Sequence, residues 1–458
     1  MTAQSRLVLT DLIHTSLREH LFPGDGKEAA AILICTRSPG TDLKLLSKKL
    51  ILVPHNECSV RTPDTITWPG EYLEMAIDDA SPQSLSIILV HSHPGGLFDF
   101  SWVDDASDAG TMASLRQGVE TLHGSAIMIP GGRMRARVYH SDCTVEEIAM
   151  VTVPGDDIQH WPAQSEIGKP AMAFTSDMSA TLSQLTAAVI GVSGTGSIVA
   201  EQLTRLGFKK IILVDHDHVE EKNLNRILNS TILDAKSRRA KVDMSADVIR
   251  RIRGADIAKP INASIFSREA VLSVANADVL FSCVDTHQGR MVCDLVASCF
   301  LIPLFDVGVK IPTRLSPDGL RKIHDVQGRV DYVKPGGSTL SDRKIFTPES
   351  LYAEALLNTD ADAHRDQVAR GYIAGIQEEA PSVITLNMRA ASACVNEFIA
   401  RAFPFREESN VNYAQTTFTL SGCLEEFEAE CSFEKHSNPQ LAQGGEEPLL
   451  GLPDLGEP

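Results

Sequence analysis

The sequence predicts an α/β protein of two domains, and three features carry that prediction. The first is an apolar run, Leu85 to Val90, that closes on His91-Ser92-His93-Pro94 and continues through a Gly-rich, aromatic connection to Ser101 and Asp104. The second is a short apolar strand, Thr186 to Val192, running into the glycine turn GVSGTGS and a helix from Ile198 to Leu206. The third lies between them: from Val153 to about Ser176 proline, glycine and acids follow no period, as in a linker. The chain therefore divides into 1–155, a linker at 156–176, a second domain at 177–433 and an acidic tail at 434–458. The tail, HSNPQLAQGGEEPLLGLPDLGEP, is rich in Pro, Gly and acid and is expected to be disordered.

Bulk properties narrow the function. At 458 residues the chain exceeds one ordinary core. Forty-two basic side chains against 60 acids give a net charge of −18, which disfavours a nucleic-acid partner. No apolar run approaches membrane-spanning length, so no membrane partner is expected. Nine cysteines without a C-x-x-C pair read as reduced thiols in a cytoplasmic protein.

Taken in order, the first domain opens with Leu9, Leu12, Ile13 and Leu17 at helical spacing, an amphipathic helix docked on the domain and not a signal peptide. After the turn Pro23-Gly24-Asp25-Gly26 comes KEAAAILIC, a buried strand with Glu28 at its mouth. Beyond the Leu85–Val90 strand, Trp102 to His123 reads as one helix softened at Gly110. A strand, Ala126 to Ile129, a Pro130-Gly131-Gly132 turn and a hairpin partner, Arg135 to His140, follow.

Alternate residues at a strand end point the same way, so His91 and His93 can reach one metal ion. Ser101 stands at a helix N-cap, and Asp104 falls in the first turn, where its carboxylate completes a three-ligand set with an open fourth position. A lone His-x-His is unremarkable, and Ser-x-x-Asp is more often a cap than a catalytic pair. The whole pattern, H-x-H-P, seven intervening residues, then S-x-x-D, is similar to the JAMM motif of JAB/MPN-type metalloproteases, which remove ubiquitin and ubiquitin-like proteins from conjugates. That resemblance implies a JAB/MPN-like mixed sheet flanked by helices, with zinc held by His91, His93 and Asp104. It also implies Glu28 as general base, with Glu57 in reserve, and Ser101 steadying the oxyanion.

In the second domain, strand, glycine turn and helix N-terminus form a phosphate cradle. Gly191, Gly194 and Gly196 do not fit G-x-G-x-x-G, since Ser193 takes the place of its second glycine. A strand from Lys210 to Val214 ends in Asp215, placed to bind a ribose hydroxyl, and to this point an NAD-binding unit stays open. Asn223-Leu224-Asn225-Arg226 and a basic helix carrying Lys236 and Lys241 then supply cations suited to a triphosphate, which a dehydrogenase does not need. Farther on, ADVLFSCVDTHQGR ends a strand near Asp285, and Ala380 to Phe403 is an apolar helix.

This order of motifs resembles the ThiF/MoeB family, whose activating-enzyme fold adenylates the C-terminal glycine of ubiquitin-like and sulfur-carrier proteins. The resemblance implies a Rossmann-like doubly wound domain in which Gly191, Gly194 and Gly196 approach phosphate and Asp215 binds ribose. Asn223, Arg226 and Lys241 would meet the triphosphate of ATP, with Lys236 either helping or merely solvated, and Asp285 would hold magnesium. Such a reaction runs on positioning and charge neutralisation without a side-chain nucleophile. In KPGGSTLSD, Thr339 and Asp342 stand where cysteines of thioester-forming relatives are expected, while Cys283, Cys293 and Cys299 sit in apolar, core-like contexts. Residues 406–433 alternate as strands.

The expected protein is bifunctional: a zinc (iso)peptidase and an ATP-dependent adenylyltransferase handling one Gly-ended ubiquitin-like modifier, with a separate conjugating enzyme and a homodimer as family expectations. Two alternatives stand beside it: sulfur-carrier activation for cofactor or cysteine synthesis, and a peptidase joined to a non-catalytic ThiF-like platform. An NAD-dependent oxidoreductase ranks behind both.

Overall fold

The computed structural model describes residues 5–142, 144–163, 171–316, 319–369 and 383–456. The chain forms two compact units, one of Met1–Pro170 with Cys299–Leu301 and Gln440–Gly451, the other of Ala171–Ser298, Ile302–Pro439 and Leu452–Pro458.

The first unit contains β1 (Arg6–Val8), α1 (Asp11–Leu21), β2 (Ala30–Arg37), β3 (Lys44–Leu52), a small hairpin of β4 (Val60–Arg61) and β5 (Ile66–Thr67), and α2 (Glu71–Ala80). It continues with β6 (Ser86–Ser92), α3 (Trp102–Gly118), β7 (His123–Met128), β8 (Met134–Tyr139), β9 (Val145–Glu147), β10 (Met150–Pro154) and β11 (Ile158–Pro162). All but β4 and β5 join one mixed sheet in the order β11-β10-β1-β3-β2-β6-β7-β8-β9. The near-continuous apolar run of β2 reflects burial on both faces. Ala31, Leu33 and Cys35 enter one core with Leu17 and Leu21 of α1, whereas Ile32 and Ile34 enter another with Ala76 of α2 and Met112 and Leu115 of α3.

The helix at the N-terminus is shorter than its apolar spacing suggests. Leu9 lies ahead of it, Thr10 caps it by accepting from the Ile13 N–H at 3.3 Å, and Leu12 faces solvent. Helix α3 stops at Gly118, and His123 opens β7, where backbone and ring bonds hold it buried. The expected linker contains β11, antiparallel to β10; its residues 164–170 lie outside the described ones.

The second unit contains α4 (Ser176–Leu182), β12 (Thr186–Ile190), α5 (Gly194–Leu206), β13 (Lys210–Val214), α6 (Ile232–Lys236), α7 (Lys241–Arg253), β14 (Ala258–Ile261), α8 (Arg268–Val274), β15 (Val279–Ser282) and α9 (His287–Cys299). After these come β16 (Leu304–Lys310), β17 (Thr313–Leu315), β18 (Arg321–Ile323), β19 (Gln327–Val333), α10 (Pro348–Thr359), α11 (Ala361–Ala369), α12 (Ile384–Ala402), β20 (Gln415–Thr419) and β21 (Leu424–Glu428). Strands β14-β13-β12-β15-β16 are parallel, and β19, β20 and β21 extend the sheet antiparallel. The chain leaves β12 to one side for β13 and β14 and returns to its other side for β15, a topological switch that opens a crevice at the strand C-termini. This is the Rossmann-like α/β class expected from the sequence.

Expectations change in two places here, the basic helix and the tail. The single basic helix is two, because Ser237–Ala240 turns the chain, with Arg238 at φ +50°, between α6 and α7. The start of the expected 380–403 helix lies outside the described residues, and α12 is seen from Ile384. Nor does disorder describe the tail at 440–451, which groups with the first unit. There Ala442, Leu449 and Leu450 are buried, Thr36 donates to the Ala442 carbonyl at 2.7 Å, and the Gly445 N–H donates to Arg37 at 2.9 Å. The apolar PLLGL stretch supplies the burial that a composition dominated by Gly, Pro and acid concealed. Among the described residues no helix is long and apolar enough to cross a membrane.

Candidate active sites

In the first unit the register of β2 on β6 pairs Ala30 with His91. One step farther, Ser92 binds Ala29 twice: its N–H donates to the Ala29 carbonyl at 3.0 Å, and its hydroxyl accepts from the Ala29 N–H at 2.9 Å. This clamp carries Glu28 to the level of His93. His93 is itself pinned by its N–H to the Met128 carbonyl at 2.8 Å.

The donor atoms of His91, His93 and Asp104 all lie within 4.8 Å of one another. His91 Nε2 stands 3.0 Å from His93 Nε2 and 3.1 Å from Asp104 Oδ1, and Asp104 Oδ2 stands 3.5 Å from His93 Nε2. His93 Nδ1 lies 2.8 Å from the Leu97 carbonyl, which fixes the proton on Nδ1 and leaves the Nε2 lone pair for a metal. Two imidazoles and one carboxylate are donors that zinc accepts, so the set fits the ion the sequence implied. Burial alone would raise the Asp104 carboxyl, but the two imidazoles and the Ser101 N–H pull it well below the usual carboxylate range.

Ser101 and Asp104 form a reciprocal capping box at the start of α3: the Asp104 N–H donates to the Ser101 hydroxyl at 3.3 Å, and the Ser101 N–H to Asp104 Oδ2 at 2.5 Å. Cap and ligand are thus the same carboxylate. Glu28 is buried, and its carboxyl is raised to about 6, chiefly by burial, against the opposing pull of His91 and His93. The reserve Glu57 is exposed and accepts from the Tyr72 hydroxyl at 2.6 Å, so the structure gives it a surface role.

In the second unit a cavity of about 1080 Å³ opens at the switch point. Gly191 (φ +82°), Gly194, Asp215, Asn223, Arg226, Lys241 and Asp285 all line it. Gly196 does not: a Cβ there would meet the Gly191 carbonyl oxygen at 1.8 Å, so this glycine lets α5 pack on the turn instead of facing a ligand. Asp215 is held by the Val192 N–H at 2.7 Å and the Asp217 N–H at 2.9 Å. Asn223 is buried and accepts from the Glu220 N–H at 3.0 Å.

Lys241 is also buried, with Nζ 2.7 Å from Asp217 Oδ2. Burial would raise the Asp217 carboxyl, and the ammonium more than reverses this. Arg226 is half-buried, 3.2 Å from the Lys222 carbonyl, and Asp285 is exposed at the cavity wall. Lys236 is exposed and does not line the cavity, whereas Lys222, Arg238 and Lys310 do. No sequence signal marked those three cations; Arg238 reaches the wall only through its positive-φ turn. Asp215, His216 and Asp217 also bring ligand atoms within 4.8 Å of one another.

Where cysteines were expected, Thr339 and Asp342 cap each other: the Thr339 N–H donates to Asp342 at 2.9 Å, and the Asp342 N–H to Thr339 Oγ1 at 3.0 Å. Cys293 and Cys299 are buried, and burial pushes both thiols up to about 12. Cys283 is half-buried and lines the cavity, and burial raises its thiol too.

Over residues 169–438 the chain matches the model of the ThiF family, and over residues 11–141 that of prokaryotic homologs of the JAB domain. It is 31% identical over 159 residues to ubiquitin-like modifier-activating enzyme 5 of Caenorhabditis briggsae, covering 33% of this chain and 34% of that protein. The enzyme of the same name from Bombyx mori is 29% identical over 164 residues, covering 33% and 38%. The match thus spans about a third of the relatives' own length. Among solved structures, E. coli MccB with ATP aligns with a TM-score of 0.43 at 15% identity, covering 58% of this chain and 69% of that one.

Proposed function

The chain belongs to the ThiF family, and from that premise we propose that its second unit uses ATP to adenylate the C-terminal carboxylate of a ubiquitin-like or sulfur-carrier protein. Its first unit would be a zinc-dependent (iso)peptidase acting on the same class of partner. The observation that carries the first half is a glycine-turned cavity joining Asp215 to Arg226 and the buried Lys241. In this reading the partner's carboxylate oxygen bonds to the α-phosphorus while the bond to the departing pyrophosphate breaks. The free N–H groups at the start of α5, Arg226 and Lys241 neutralise phosphate charge, Asp215 holds ribose and Asp285 holds magnesium. With Thr339 and Asp342 standing where thioester-forming relatives carry cysteines, hand-over of the acyl adenylate to a thiol on a separate protein is part of this reading.

For the first unit, His91, His93 and Asp104 would hold zinc, which when bound supplies Lewis acidity and an activated water. Glu28, buried and with its carboxyl near 6, would take the proton. Ser101 would donate to the developing oxyanion.

Unfolding scans of the full chain test the adenylating half. ATP with magnesium should raise the transition, with about 2.7 kcal/mol gained at a hundredfold excess over Kd, while NAD leaves it unchanged. A shift with NAD alone would replace adenylation by redox chemistry, and no shift with either favours the binding-platform alternative. For the peptidase half, bound zinc measured by atomic emission should be lost in His93→Ala. Cleavage of a Gly-Gly-linked fusion should be lost in both His93→Ala and Glu28→Gln. Cleavage retained in both variants would overturn the metal mechanism.

A further inference from the structure

The connection between the metal-site histidines and α3, together with the first residue of α3, carries four large apolar side chains that are treated in two ways. Phe98 is 6% exposed beneath the Arg133 guanidinium, 5.0 Å from the ring centre, and the Phe100 ring is covered by Arg137 at 3.9 Å. Leu97 and Trp102 have no such cover and stand 55% and 80% exposed. Neither sits on a loose segment. The Leu97 carbonyl accepts from His93 Nδ1, and Trp102 is the first residue of the helix whose cap is Ser101 and whose third residue is Asp104. Gly95 and Gly96, just ahead of Leu97, add no bulk there, and a Cβ at either would meet nothing within 4 Å.

We propose that Leu97 and Trp102 form a specificity subsite of the first unit, taking an apolar side chain of the polypeptide whose amide is cleaved, within a few residues of the scissile bond. This rests on the peptidase reading. The occupant follows from continuity: the backbone at Leu97 and at Trp102 is tied to residues of the hydrolytic centre, so a chain lying across that centre passes beside both side chains. A tryptophan held by its helix backbone and left in water beside a reactive centre gains most from an apolar partner.

The test uses internally quenched peptides with a central Gly-Gly cleavage point and a single Leu or Ser scanned two and three residues to either side, on the zinc-loaded full chain. At one position wild type should prefer Leu by about tenfold or more in kcat/KM. Trp102→Ser should lose that preference through KM with zinc content unchanged, Trp102→Phe should keep most of it, and Leu97→Ser should weaken it. A second readout needs no turnover. Of the chain's three tryptophans, Trp102 should shift its emission to the blue when the Leu peptide is added to Glu28→Gln, and this change should vanish on adding Trp102→Phe to that variant. If wild type cleaves but Trp102→Ser retains the Leu preference, the subsite is overturned and the peptidase stands. If wild type neither binds zinc nor cleaves any peptide, both fall.

Discussion

Glu28 sets folding against chemistry. Its carboxyl holds a proton up to about 6 in the folded chain, against 4.5 ordinarily, chiefly because it is buried. Folding therefore favours the protonated form: this contribution is full below pH 4.5 and is lost as pH rises through about 6. Above that the buried carboxylate costs roughly 1–2 kcal/mol. In metal-stripped protein, Glu28→Gln should raise the urea midpoint at pH 8 while leaving it near wild type at pH 4, and should abolish cleavage in the zinc form. A lower midpoint at pH 8 would contradict this account. Lys241 makes the converse case. Its ammonium is buried at the wall of the second unit's cavity, while its partner Asp217 is more than half exposed, so Asp217 tolerates losing it. Lys241→Met should weaken ATP binding roughly tenfold to a hundredfold, as loss of a charge-assisted phosphate contact does, with little change in unfolding temperature. Calorimetric titration with ATP and magnesium measures it.

At the scale of elements, α3 is both capped and pinned. Arg137 on β8 reaches Asp105 at 2.5 Å, Asp108 at 2.7 Å and the Ser125 hydroxyl at 3.1 Å, while its guanidinium lies over Phe100. Asp108, buried, also accepts from Ser125 at 2.5 Å and from Tyr139 at 2.8 Å. Strand and helix are thus locked at the turn that carries Asp104. Arg137→Met would leave Asp108 a buried carboxylate without its cation, at a cost of about 3–5 kcal/mol. Loss of less than about 1 kcal/mol in urea unfolding would contradict this, since an exposed pair contributes no more than that. The same element logic explains the Ser92 clamp. A serine between two histidines looks incidental in sequence, yet Ser92→Ala would strip the Ala29 N–H of its buried acceptor and should cost about 1–3 kcal/mol.

At the scale of the molecule, residues 440–451 complete the first unit from the far end of the chain. Leu449 and Leu450 are buried, and Gly444 takes φ +63° where a Cβ would meet the Arg37 carbonyl oxygen at 2.6 Å. Replacing both leucines with alanine should cost about 2–5 kcal/mol for each. It should also expose the tail to protease before the transition to which ATP binding is linked. If limited proteolysis cuts the variant and wild type alike, the segment does not hold in solution.

The fold class and most of the candidate site residues were readable from the chain, because strand, turn and helix signals are local and the JAMM-like and ThiF-like motifs are short runs with fixed spacing. His91, His93, Asp104, Ser101, Gly191, Gly194 and Asp215 were all legible in this way. Folding was needed to bury Glu28 and leave Glu57 at the surface, to keep Gly196 and Lys236 out of the second unit's cavity and to bring Arg238, Lys222 and Lys310 into its wall. It also brought the tail onto a sheet some four hundred residues earlier in the chain, as the 406-residue separation of Thr36 from Ala442 records. Each of those decisions turns on strand register, a positive-φ turn or contacts between distant segments. Spacing along a chain does not encode these, since side chains meet there only after the backbone has folded.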